Sequence, residues 1–221
     1  MMKKHILLFL FLPQLALIGQ NNNILTSFGI KAGNNFSKIN IIQSNGLGFS
    51  VEAASILGFN AGFVFRHINE KKPLLGIQLE ANLTQRGWKE TSDTITDFYD
   101  RRQNYIEFPV LMNATLFKSK AINGILNLGF NTSFLLSDKE TIEANAPRTR
   151  SYYHEDIKSS IDYGLIIGGG INMTLKNKKS LEFEIRYYQG LSDLFEPNDE
   201  FDILQHQIIS FNLIYFCWVK D

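Results

Sequence analysis

The sequence predicts an all-β chain, an eight-stranded antiparallel up-and-down transmembrane β-barrel, and three observations lead there. From residue 28 onward, apolar and polar residues alternate with a period of two in run after run, the pattern of strands with two unlike faces. The connections alternate in length: 38–56, 87–104, 138–159 and 192–206 are long, whereas 67–73, 118–121 and 176–179 are short. Aromatic residues are plentiful, with 18 Phe, eight Tyr and two Trp, which suits both pleated strands and membrane-interface girdles. A membrane-crossing barrel gathers short turns at one end and long loops at the other, and the length asymmetry matches that plan.

Residues 1–19 read as a signal peptide. Lys3 and Lys4 precede an apolar run from Ile6 to Leu12 that resumes at Leu15 to Ile18 after Pro13 and Gln14. The run is shorter than the ~20 residues a spanning helix needs. Cleavage is expected near Gly19–Gln20, although Leu17 departs from the small-residue preference, and no cysteine follows to take a lipid anchor. Residues 20–27 form a short lead, and 28–221 form the barrel domain.

The third strand is the cleanest: Leu75, Ile77, Leu79, Ala81 and Leu83 alternate with Gln78, Glu80, Asn82, Thr84 and Arg86. The fourth places Ile106, Phe108, Val110, Met112 and Leu116 opposite Tyr105, Glu107, Pro109 and Asn113. The seventh sets Leu181, Phe183, Ile185 and Tyr187 against Glu182, Glu184, Arg186 and Tyr188. The second sets Phe59, Ala61, Phe63 and Phe65 against Gly58, Asn60, Gly62 and Arg66. Strands over 28–37, 122–137, 161–175 and 207–218 keep the period less strictly.

One face is aliphatic and aromatic, and the other carries charges of both signs. If the polar face lines a narrow lumen, Glu80, Glu107, Glu182 and Glu184 meet Lys31, Arg66, Arg86 and Arg186, four against four. Matched charges make a buried network affordable where unpaired ones would be costly. Glu182 and Glu184 are accordingly read as neutralised structural carboxylates and not as an acid–base pair. Eight strands enclose a space that side chains fill, so an open pore is not expected. Pro109 inside a strand forfeits a ladder hydrogen bond, which predicts a bulge or kink there. Gly168, Gly169 and Gly170 are expected to make room for bulky lumenal side chains.

The short connections are basic (Lys71, Lys72; Lys118, Lys120; Lys176, Lys178, Lys179), and the connection 192–206 is acidic. Tyr152, Tyr153 and His154 form a candidate loop contact surface, the tyrosines having an alternative use as interfacial anchors. Trp88 and Trp218, near strand ends, read as interface anchors at opposite rims. His154 with Ser151 and Asp156, or His206 with Ser192, could be nominated as a lipid-modifying rim site, but loop histidines beside serines are common. The single cysteine, Cys217, permits no intramolecular disulfide and gives no metal spacing. No phosphate loop or nucleophile elbow is present, so no cofactor is expected. With 22 basic and 22 acidic residues, no global field favours nucleic acid.

The stretch Phe28-Gly29-Ile30-Lys31-Ala32-Gly33-Asn34-Asn35-Phe36-Ser37 resembles the opening strand of PorT-like outer-membrane β-barrel proteins. Gly58-Phe59-Asn60-Ala61-Gly62, Gly76-Ile77-Gln78-Leu79-Glu80 and Tyr105-Ile106-Glu107-Phe108-Pro109-Val110-Leu111 resemble the next three strands of that family, in which the proline is characteristic. Asp162-Tyr163-Gly164-Leu165 and Arg186-Tyr187-Tyr188-Gln189-Gly190-Leu191-Ser192 continue the likeness. Tyr215 and Phe216 are followed by five more residues, a departure from the family's terminal aromatic assembly signal. The resemblance implies an eight-stranded outer-membrane barrel and no reaction; its namesake takes part in protein secretion.

The expectation is therefore a non-enzymatic integral outer-membrane protein with a filled lumen and a surface or envelope-assembly role. Its expected partners are outer-membrane lipids, the barrel-assembly machinery during biogenesis, and envelope or secretion proteins. The alternatives are a soluble exported lipocalin-like carrier of an apolar ligand and, third, the rim enzyme.

Overall fold

The computed structural model describes residues 24–42, 53–69, 75–91, 98–119, 121–143, 151–176, 179–196 and 203–220. The expected signal peptide lies outside them. The strands are β1 (Ile24–Ile42), β2 (Ala53–Asn69), β3 (Leu75–Glu90), β4 (Tyr99–Glu107), β5 (Val110–Lys118), β6 (Ile122–Ile142), β7 (Ile161–Thr174), β8 (Ser180–Gly190) and β9 (Ile203–Lys220). Each pairs antiparallel with its neighbours, and β1 pairs with β9, so the sheet closes on itself. Strands β4 and β5 are two halves of one stave, since both lie between β3 and β6. The ring therefore has eight staves, and closure leaves no free sheet edge.

Proline 109 interrupts the strand assignment without the expected bulge. The register with β3 runs unbroken from Asn82↔Glu107 to Leu79↔Val110, and that with β6 from Glu107↔Ser133 to Val110↔Phe130. Phe108 N–H donates to Thr132 O at 2.8 Å and Glu80 N–H to Pro109 O at 3.0 Å. Proline forfeits only the bond it would itself donate. The register shifts fall elsewhere, between Phe28 and Gly29, Ser55 and Asn60, Asn104 and Tyr105, and Thr115 and Phe117.

The strands also run further than the period alone indicated. β3 continues to Glu90 and β4 starts at Tyr99, so the connection expected over 87–104 narrows to 91–98. Likewise β1 reaches Ile42 and β9 begins at Ile203.

Which face points inward follows from exposure. Phe59, Leu83 and Leu128 are 53–54% exposed, while Gln78, Arg86, Asn113, Glu182 and Glu184 are fully buried. The barrel is apolar outside and polar inside, the inverse of a soluble carrier, whose charged groups would face water. That distribution removes the lipocalin-like alternative, because an apolar wall around the whole ring has lipid as its natural solvent. Small residues admit the large lumenal ones: a Cβ on Gly168 would lie 2.8 Å from Arg186 Cγ, and one on Gly164 2.7 Å from the Tyr188 ring.

Candidate functional site

The lumen is filled by layers of paired side chains. Nearest the short-turn end, Arg66 on β2 donates from Nη1 and Nη2 to both carboxylate oxygens of Glu182 on β8, at 2.6 and 2.7 Å. Its Nε donates to Gln78 Oε1 at 2.6 Å, and its guanidinium lies 4.6 Å from the centre of the Phe216 ring. Asn172 Nδ2 donates to Glu182 at 2.9 Å.

The next layer centres on Glu80. It receives Lys31 Nζ at 2.6 Å, Arg186 Nη1 and Nη2 at 2.9 and 2.5 Å, and Asn82 Nδ2 at 2.9 Å. Arg186 Nε sits 2.7 Å from Glu184, which also accepts from Asn127. Asn127 in turn accepts from Asn113 at 2.5 Å.

Above it, Arg86 is clasped by Glu107 and Asp162 and donates to Ser133 Oγ at 2.8 Å. The rings of Tyr105 and Tyr188 each lie 4.7 Å from its guanidinium carbon. Tyr188 Oη donates to Asp162 at 2.9 Å, and Ser192 Oγ donates to the other oxygen of Asp162. Between these two layers lies a cavity of about 30 Å³, lined by Lys31, Asn60, Thr84, Arg86, Arg186 and Asn212 among others. That volume suits one or two waters.

At the long-connection end the filling changes character. Trp88, Tyr99, Tyr152, Tyr153, Leu194, Phe195 and Leu204 pack into one buried cluster. Tyr99 and Tyr153 stack with centroids 4.4 Å apart, and Tyr152 and Phe195 at 5.5 Å. Both Tyr152 and Tyr153 donate their hydroxyls to Glu90, the latter at 2.7 Å. Arg101 pairs with Asp138, donates to the carbonyl of Glu155 at 2.8 Å and lies 5.0 Å from the Phe195 ring. Residues 151–157 are thereby folded back over the mouth of the barrel.

Lys31, Arg66, Glu80, Arg86, Glu107, Glu182, Glu184 and Arg186 are thus all buried, each paired with an opposite charge within its own layer. The anchor and loop-surface expectations fare differently. Trp88 is not an interface anchor; it is 0% exposed and faces Tyr99, Tyr152 and Phe195. It keeps the inward parity of Arg86, because β3 does not end where the girdle reading needed it to. Tyr152 and Tyr153 are not a contact surface either, being 3% and 6% exposed. Only His154 of that trio faces solvent, with φ of 64° and its Nδ1 3.4 Å from Glu140. The Trp218 backbone pairs with Phe28, and its side chain lies outside the described residues.

Parity missed several lumenal groups that it could have found. Asp162 occupies the inward phase of Gly164, Ile166 and Gly168 on β7, and makes the tally of charges around Arg86 uneven. Glu90 and Arg101 needed the longer β3 and β4. Of the nominated rim sites, His206 stands buried between the Trp88 and Tyr105 rings, and neither ring nitrogen has a hydrogen-bond partner. Ser192 gives its proton to Asp162 and not to a histidine. Among the described residues no group of three or more His, Cys, Asp or Glu side chains could hold a metal ion.

Residues 18–196 match the model of a family described as outer membrane protein beta-barrel domain. The chain belongs to this family. It is an integral outer-membrane β-barrel of the Gram-negative envelope, seated in the lipid bilayer. Among solved structures, the barrel is similar to Neisserial surface protein A, NspA (14% identity over 86% of this chain and 97% of that one, TM-score 0.43). It is also similar to OprG from Pseudomonas aeruginosa (10%, 87% and 91%, TM-score 0.42). A third is the outer membrane enzyme PagL (16%, 82% and 97%, TM-score 0.40). No curated protein matches the sequence.

Proposed function

We propose that this outer-membrane barrel is a plugged, non-enzymatic scaffold whose role is exercised on its outward rim and wall, as a surface or envelope-assembly protein. The observation that carries the reading is the continuous filling of the lumen, from the Arg66–Glu182 pair through Arg86 to the aromatic layer under residues 151–157. A solute would have to break desolvated ion pairs in the middle and displace packed rings at the long-connection end, so function falls to the outside. The long connections are taken to face the exterior and the basic short turns the periplasm, the usual disposition of such barrels.

Within this reading, residues 1–19 are a cleaved signal peptide and the lead that follows is shorter than 20–27, because β1 already pairs with β2 from Ile24. Assembly machinery inserts the chain, and envelope or secretion proteins are its partners. The ordered motifs shared with PorT-like proteins support the secretion-associated form of this role.

Two measurements test it. Reconstituted in planar bilayers, the protein should show no conductance above background; stepwise openings would overturn the plug. A photo-crosslinker placed at exposed position His154 should capture a protein partner in the native envelope. Capture of lipid alone would overturn the assembly role.

A further inference from the structure

On the outer wall, side chains of β3, β4 and β6 change character abruptly toward the long-connection end. Leu83, Ile106 and Phe134 form an apolar row across the three strands. The next outward row is Gln85, Asn104 and Ser137, linked by hydrogen bonds of 3.4 Å (Gln85 to Asn104) and 2.8 Å (Asn104 to Ser137). Beyond it the register pairs Arg102 directly with Lys139, and opposite Arg102 on β3 stands Gly87, which has no side chain. Lys89 and Asp100 pair in the row after that.

Asp100 thus stands in the row beside two opposed cations, Arg102 and Lys139. Asp100 is engaged by Arg102 through Nε at 3.0 Å and Nη2 at 3.2 Å, while Arg102 Nη1 has no partner among the described residues. Both Arg102 and Lys139 are exposed. Like charges directly opposed across a strand pair are destabilising unless an anion lies between them. Elsewhere among the described residues the pattern differs: Lys158 faces Glu196 at 3.0 Å, and each lumenal cation named above faces a carboxylate.

Height supplies the second argument. Arg102 lies four residues beyond Ile106, about 13 Å along the strand and about 10 Å along the membrane normal once tilted. That is the level of lipid headgroups, and long basic side chains bend toward it from above. We infer that Arg102 and Lys139 form a site for the phosphate headgroup of an anionic lipid, whose acyl chains lie on the Leu83–Ile106–Phe134 row. The inference needs the barrel's place in the membrane but not the plugged-scaffold role, so conductance or a failed crosslink would leave it standing.

The test uses the purified barrel in nanodiscs of phosphatidylcholine with a minor fraction of phosphatidic acid, read by native mass spectrometry of retained lipid. The wild type should hold phosphatidic acid over phosphatidylcholine by roughly tenfold or more, as two basic groups near a phosphate imply. Arg102→Gln/Lys139→Gln should lose that preference while keeping heat-modifiable migration as a sign of folding. Lys38→Gln, an exposed charge on β1 away from this face, should keep it. Equal retention by wild type and the double variant would overturn the site. So would inorganic phosphate stabilising the detergent-solubilised wild type over the double variant as well as the lipid does, which would make the ligand free phosphate.

Discussion

The middle of the lumen and its long-connection end are both buried, yet they are built from different chemistry. In the middle, Glu80, Glu107, Glu182 and Glu184 meet Lys31, Arg66, Arg86 and Arg186, so the filling is held by desolvated charge. At the end, Trp88, Tyr99, Tyr152, Tyr153 and Phe195 fill the space by ring area, with Glu90 holding two phenol hydroxyls. The difference teaches where each can be broken. A charge removed from the middle strands its partner in a dry interior, whereas a ring removed from the end leaves a void or frees a loop.

The largest effect is expected from Arg86→Met, which leaves Glu107 and Asp162 unpaired. Breaking a buried pair on one side costs about 3–5 kcal/mol, visible as a lower urea midpoint for the barrel in lipid vesicles. A change under about 1 kcal/mol, the scale of exposed pairs, would mean water reaches this layer. Trp88→Ala comes next, at about 3 kcal/mol for loss of a buried aromatic side chain. An effect near the ~0.5 kcal/mol of a surface substitution would restore the girdle reading. Glu90→Gln should cost least, about 1–2 kcal/mol from weakened charge-assisted hydrogen bonds. Its signature is local: amide exchange should quicken at residues 151–154 while β7 and β8 keep their protection. If exchange rises equally in the strands, the aromatic layer and the ion-pair layers form one cooperative unit and the contrast between them dissolves.

The two regions also differ in how much of each is legible in the sequence. The eight charges of the middle are legible because strand parity is a local property: Glu182, Glu184 and Arg186 alternate with Leu181, Phe183 and Ile185 whatever the rest of the chain does. Asp162 was equally legible by that rule. The end was not. Trp88 kept the same parity as Arg86, but an aromatic residue near a strand end also fits a girdle, and only the true length of β3 decides between them. Tyr152 and Tyr153 lie in a turn, where no period exists to say which way a ring points.

By itself, the sequence determined the eight-stave closed sheet, its apolar outside, the stave containing Pro109 and the identity of the charges that face inward. These follow from a two-residue repeat and from the high cost of burying charge without its opposite. The tertiary structure alone decided that Pro109 inserts no bulge, because the neighbouring staves hold the register on both sides. It alone decided that residues 151–157 close the mouth, and that Arg102 and Lys139 stand side by side on the wall. Those facts depend on which residue of one strand lies opposite which residue of another, and on the path of a connection, neither of which a local repeat encodes.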